Sequence, residues 1–98
     1  MPWFVKQETF LRPYPEMKPH LRAHRTWVEQ LRSGGTVLSS GYLVDGEGQP
    51  GGGGLLLIQA GSYAEAEALV LQDPMVCSGG VAWRLQEWRP SVGDLSVR

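Results

Sequence analysis

The stretch from Leu55 to Pro74 constrains the fold more than any other part of the chain. Leu55-Leu56-Leu57-Ile58 is an unbroken apolar run, too short for a helix and bounded by glycine, and it predicts a buried strand. Ser62-Tyr63-Ala64-Glu65 follows with the pattern of a capping box, in which the serine caps a helix and the glutamate reaches back to it. Tyr63, Ala66, Leu69 and Val70 recur at helical spacing, with Glu65, Ala68 and Gln72 on the opposite side. Asp73-Pro74 stops this helix, because proline disfavours the α conformation in the residue before it. Asp73 is thereby expected on the inward face and near the negative end of the helix dipole, where an anion costs about 0.3–1 kcal/mol unless something offsets it. A cationic or hydrogen-bonding partner for Asp73 is expected elsewhere in the chain.

From the amino terminus, Trp3 to Phe10 reads as a strand, rich in aromatic and β-branched residues. Trp3, Val5, Gln7 and Thr9 face one way; Phe4, Lys6, Glu8 and Phe10 face the other. Arg12 to Pro19 is punctuated by proline and predicts a stiff loop. A helix is predicted from about Pro19 to Ser33, with proline in the first turn and Gly34-Gly35 as its stop. Leu21, His24, Trp27, Val28 and Leu31 form its apolar stripe, so His24 is the one polar member of an inward face. Arg22, Arg25, Glu29 and Arg32 lie on the solvated side, and His20 at the helix start is given no role.

Thr36 to Val44 predicts a second strand, in which Gly41 permits a bulge or the close approach of another group. Asp45-Gly46 opens a turn and Glu47 to Gly54 reads as a flexible hairpin loop. Gly46-Glu47-Gly48-Gln49-Pro50-Gly51 matches the letters of a dinucleotide fingerprint, but that fingerprint must open a helix after a strand. This stretch carries a proline and leads into another strand, so it is rejected. Pro74 to Gly80 is expected to be a turn or irregular. Val81 to Trp88 alternates as a last strand with Val81, Trp83 and Leu85 on the core side. Residues 1–90 are expected to form one domain and 91–98 a tail.

The order β-α-β-β-α-β is the split βαβ, or ferredoxin-like, plan: an α+β fold with two helices on one face of a four-stranded antiparallel sheet. The other face carries large apolar groups and has no covering layer, which predicts a homodimer with the two sheets packed together. At 98 residues and a formal charge of −1, the chain buries a small core and has no electrostatic footprint for nucleic acid. No apolar run approaches the ~20 residues that span a bilayer, and the amino terminus lacks the layout of a signal peptide. The expectation is a cytoplasmic protein without nucleic-acid or membrane partners. Cys77 has no second cysteine to pair with and reads as a small apolar residue near a strand start.

With the helical His24, the glycines after the helix and after the second strand, the apolar strand, Ala66 to Val70, Asp73-Pro74 and a final strand ending at Trp88, the chain resembles the YCII-related (YciI-like) family. Phe4-Val5 in the first strand, and Trp27 and Leu31 after His24, extend the match over nearly the whole length. No single piece is specific; their order and spacing are. The resemblance implies a dimeric α/β barrel with a cleft between sheet and helices, and a His–Asp dyad on His24 and Asp73. It also implies lyase or isomerase chemistry on small conjugated or aromatic molecules, since a relative eliminates chloride from a chlorinated hydroxyquinol and the wider superfamily includes muconolactone isomerases. This chain departs from the family at two positions that bear on the pocket: Met75 stands where an aromatic residue usually follows Asp-Pro, and Tyr42 where proline usually follows Gly41.

An imidazole titrates near neutrality, and a carboxylate on one ring nitrogen fixes the tautomer and strengthens the other nitrogen as a base. His24 and Asp73 are therefore the expected catalytic pair, with Ser40, Gly41, Met75 and Trp83 as candidates for the walls of a substrate pocket. No nucleophile motif surrounds Ser39 or Ser40, no metal-ligand spacing occurs, and no cofactor is expected. Read without the resemblance, the pattern favours a core histidine bonded to backbone and an aspartate that forms a turn before proline. Two functions stay open: a small cofactor-free lyase or isomerase, and a non-catalytic dimer that binds a small molecule or serves as a scaffold. An open His24 with a free nitrogen would favour the first; a His24 enclosed with both nitrogens satisfied would favour the second.

Overall fold

The computed structural model describes residues 1–95. The last three residues of the expected tail lie outside them. The elements run β1 (Trp3–Phe10), α1 (Tyr14–Ser33), β2 (Leu38–Val44), β3 (Pro50–Gln59), α2 (Tyr63–Val70), α3 (Pro74–Cys77) and β4 (Val81–Trp88). The four strands form one antiparallel sheet in the order β2-β3-β1-β4. This is the ferredoxin-like α+β arrangement that the order of elements predicts, with a short third helix added.

Register fixes which side chains share a face. Phe4 pairs with Ile58 and Ile58 with Leu38; Lys6 with Leu56 and Leu56 with Ser40; Glu8 with Gly54 and Gly54 with Tyr42. On the far side of β1, Leu85 lies opposite Lys6 and Trp83 opposite Glu8. These rows face the helices. Phe4, Leu38, Leu56, Ile58 and Leu85 are buried there with Trp27 and Val28 of α1 and Ala66 and Val70 of α2. The opposite face, with Trp3, Val5, Leu55 and Leu57, is half-buried, and among the described residues no helix covers it.

Three local expectations need correction. The helix α1 begins at Tyr14, not at Pro19. Pro15 falls in the first turn, where its missing N–H costs nothing, and Pro19 removes only the bond to the Pro15 carbonyl. Met17 holds these early turns down: it is fully buried against Met75 and Val81. Gly80 makes that possible, since a Cβ there would lie 2.6 Å from the Met17 Sδ.

The glycine-rich stretch is not a loop as far as Gly54. β3 starts at Pro50, and only Asp45 to Gln49 turn. The Asp45 carboxylate accepts from the Glu47 and Gln49 amides at 2.8 and 3.0 Å, bonds that hold its pKa below the ordinary value. Gly53 and Gly54 pair with β1 and are pressed close: a Cβ on Gly53 would stand 3.0 Å from the Glu8 carbonyl oxygen. The bulge in β2 falls between Tyr42 and Val44, while Gly41 leaves its carbonyl 3.3 Å from where a Gly54 Cβ would be.

The helix after β3 is also shorter. Ser62 caps it, accepting from Glu65 N at 3.1 Å, but Glu65 reaches back to the Gly61 amide at 2.9 Å rather than to Ser62. α2 ends at Val70, because Pro74 has no N–H to offer the Val70 carbonyl and the Asp73 amide takes it at 3.0 Å. Pro74 then opens α3 where a turn is expected, with Asp73 as its cap.

Candidate functional site

Asp73 therefore sits at the amino end of a helical turn and not at the carboxyl end of α2. Its Oδ1 accepts from the Met75 amide at 2.9 Å, so the dipole penalty inferred from sequence does not arise. The carboxylate is fully buried and partnered on both oxygens. Oδ1 also receives His24 Nδ1 at 2.8 Å, and Oδ2 receives Lys6 Nζ at 2.8 Å. Burial alone would push the Asp73 carboxyl up. The His24 hydrogen bond and the charge and hydrogen bond of Lys6 outweigh it and hold the pKa below the ordinary carboxylate value.

Each partner arrives from its own element. His24 belongs to the inward stripe of α1, between buried Met17 and buried Trp27 and Val28. Its ring lies 5.8 Å from the Trp27 ring, tilted by 38°. Lys6 projects from β1 under the helices, two residues from Phe4 on the same face. Glu8 continues that row, and its Oε1 accepts from Lys6 Nζ in a second, short ion pair. Lys6 and Glu8 are thus 2% and 7% exposed, an unusual depth for charged groups, and each is tolerated because the other neutralises it.

The other ring nitrogen of His24, Nε2, lies 2.7 Å from Ser40 Oγ on β2. A carboxylate only accepts, so Nδ1 carries a proton; in the neutral ring Nε2 is then the acceptor, and Ser40 donates to it. Lys6, Glu8, Asp73, His24 and Ser40 make one continuous hydrogen-bonded chain drawn from β1, the α2–α3 junction, α1 and β2.

A cleft of about 300 Å³ opens along this chain between α1 and the sheet. Lys6, Glu8, His24 and Ser40 face it, Gly41, Gly53, Gly54 and Leu55 lie along the strands, and Phe10, Leu21, Val28, Tyr42 and Met75 supply apolar wall, with Arg25 and Glu29 also lining it. The volume suits a ligand of one ring or similar size. Of the residues expected at a pocket, Ser40, Gly41 and Met75 line this cleft and Trp83 does not. Trp83 is on β4, across β1 from the cleft, packed against both parts of the core. Among the described residues no group of three or more His, Cys, Asp or Glu could hold a metal ion. Within the same limit, no helix is long and apolar enough to cross a membrane.

Sequence reasoning missed Lys6 and Glu8. The signal was present: two opposite charges alternate between Phe4 and Phe10 on a single strand face, and that face is the one turned to the helices.

A ferredoxin-like α+β domain whose helix-covered sheet face carries a buried ionic chain beside a small cleft is the class of protein defined by these features. The model of the YCII-related domain matches residues 3–89, and the chain belongs to that family. Among solved structures it is similar to a 5-chloro-2-hydroxyhydroquinone dehydrochlorinase from Burkholderia phenoliruptrix AC1100, in complex with 2,5-dihydroxybenzoquinone. The TM-score is 0.73 and the identity 22%, over 91% of this chain and 95% of that one. It is also similar to an antibiotic biosynthesis monooxygenase, with a TM-score of 0.54 and 16% identity over 90% and 99% of the two chains. At these identities the likeness is one of fold. A comparison with curated proteins found no match.

Proposed function

We propose that this protein is a small lyase or isomerase, working without a cofactor, in which His24 and Asp73 move a proton on a small conjugated or aromatic metabolite. The observation that carries this reading is the orientation of His24. Asp73 takes Nδ1–H at 2.8 Å, which leaves Nε2 as the basic nitrogen at the wall of the cleft. Lys6 keeps Asp73 ionised, so the carboxylate stabilises the imidazolium that forms when Nε2 takes a proton. Ser40 also lines the cleft, and a ligand hydroxyl or acidic C–H either replaces the Ser40 hydroxyl on Nε2 or passes its proton through it. The dehydrochlorinase with the same fold acts on a hydroxylated ring, which supports a substrate of that kind.

The reading includes a cytoplasmic homodimer, formed through the sheet face that bears half-buried Trp3, Val5, Leu55 and Leu57, and a single domain ending near residue 90 before a short tail. A second reading, a non-catalytic dimer that binds a small molecule, is favoured by one observation: Ser40 already occupies Nε2, so both nitrogens of His24 have partners.

Deuterium exchange separates the two. A panel of hydroxylated aromatics and conjugated hydroxyketones is incubated with the protein in deuterium oxide and followed by proton NMR. Loss of a substrate C–H signal, or release of a leaving group, with wild type but not with His24→Gln is expected. Ligands that bind wild type without exchange or release would favour the binding protein.

A further inference from the structure

Glu8 has no part in the dyad, yet it is one of the most deeply placed charges in the molecule. Lys6 bonds only its Oε1; among the described residues no group donates to Oε2. The residue lines the cleft with its carboxylate over Gly54 of β3, where a Cβ would lie in van der Waals contact, 3.4 Å from both Cγ and Oε2 of Glu8. Oε2 is open to the cleft and not sealed in the core, so a ligand hydroxyl or water can reach it and bond it.

We propose that Glu8 is a specificity-determining residue: its Oε2 accepts a hydrogen bond from a ligand hydroxyl, and its charge turns away ligands that carry a carboxylate. The proposal deepens the reading of the cleft as a substrate site and rests on it. Around the cleft, Lys6 and Arg25 supply two positive charges, while Glu8, Glu29 and Asp73 supply three negative ones. With His24 neutral, the site carries one net negative charge. The cation nearest its floor, Lys6, is already shared between Asp73 and Glu8 and offers an anionic ligand little. Ser40 belongs to the Lys6–Leu56 row and Glu8 to the neighbouring Gly54–Tyr42 row, with Gly54 and Leu56 of β3 between their strands. A planar ligand lying diagonally across β3, over Gly54 and Leu56, would place one hydroxyl on Glu8 and present its other edge to Ser40 and His24. The favoured class is an electroneutral molecule with hydroxyl groups on separated positions of one ring or ring-sized frame.

The test is equilibrium binding by calorimetry of two probes that differ in one carboxylate, hydroquinone and 2,5-dihydroxybenzoate. Wild type is expected to bind hydroquinone about tenfold or more tightly than 2,5-dihydroxybenzoate. In Glu8→Gln, hydroquinone is expected to weaken and the preference to fall below about threefold. Equal or tighter binding of the carboxylate by wild type overturns the proposal, as does no measurable hydroquinone binding, or a preference that a folded Glu8→Gln retains in full. Should that variant fail to fold, 2,5-dihydroxybenzylamine on wild type decides: the cation must bind at least as well as hydroquinone, and weaker binding overturns the proposal. Binding preferences without deuterium exchange would remove the catalytic reading and leave this one standing; exchange without the preference would do the reverse.

Discussion

Replacing Lys6 by methionine keeps the length of the side chain and removes its charge. Two carboxylates, on Asp73 at 0% and Glu8 at 6% side-chain exposure, then lose their shared cation, and only His24 and the Met75 amide remain to offset Asp73. Removing one partner of a buried ion pair costs about 3–5 kcal/mol, because the charge left behind is uncompensated. Against a total of about 5–15 kcal/mol for a domain, this is a large share. For a chain of this size it lowers Tm by roughly 12 °C or more. The dependence on pH has a defined sign. The folded-state pKa of Asp73 is below the ordinary value, partly because of Lys6. The stability this contributes is present in full above the unfolded value near 4 and is lost as pH falls through the folded value. Losing Lys6 therefore hurts most near neutrality, and the deficit narrows as pH falls and the Asp73 carboxyl, which burial pushes up once Lys6 is gone, takes a proton. Urea unfolding followed by tryptophan fluorescence at neutral and acid pH measures both effects. A deficit under about 1 kcal/mol at neutral pH, or one that stays the same in acid, refutes the reasoning. The triple variant Lys6→Met, Glu8→Gln, Asp73→Asn, which has no buried charge to strand, should recover much of the loss.

Pro19→Ala restores an N–H that can bond the Pro15 carbonyl at an exposed helix position. It should stabilise the fold by about 1 kcal/mol or more in thermal unfolding, net of the greater freedom of the unfolded chain; a fall in Tm would contradict the placement of Pro19 inside α1. Gly53→Ala drives a Cβ to 3.0 Å from the Glu8 carbonyl oxygen on a strand held from both sides, and should cost about 1–3 kcal/mol; an unchanged unfolding midpoint would show that β1 yields there. Sedimentation at micromolar concentration should give about twice the 10.8 kDa of one chain, and a species at the single-chain mass would remove the homodimer.

Much of the fold is written in local periodicity. β1 and β4 run where alternation places them, and the inward stripe of α1 contains His24, Trp27 and Val28 as its spacing requires. The failures are places where tertiary contact outweighs local preference. Tyr14 to Lys18 becomes helical because Met17 has a buried slot, and Pro50 to Gly54 becomes strand because β1 and β2 offer it backbone partners. Asp73 was legible as an inward carboxylate in need of a partner, and it has two side-chain partners, His24 and Lys6, besides the Met75 amide. Lys6 was harder to read. Alternation sorts β1 into two faces without saying which turns inward, and Trp3 and Val5 make the wrong face look as apolar as the right one. The sheet row that joins Lys6, Leu56 and Ser40 depends on register between strands far apart in sequence, which no local pattern encodes.

The central claim is that Asp73 fixes the His24 tautomer so that Nε2 is the base at the cleft. Long-range proton–nitrogen NMR of ring-labelled histidine reads this directly in the free protein, at a pH where the His24 ring is neutral. The assignment predicts that His24 carries its proton on Nδ1 with Nε2 as a bare acceptor, and that Asp73→Ala loses this preference. A His24 with its proton on Nε2 in wild type, or a tautomer unchanged by Asp73→Ala, would contradict it.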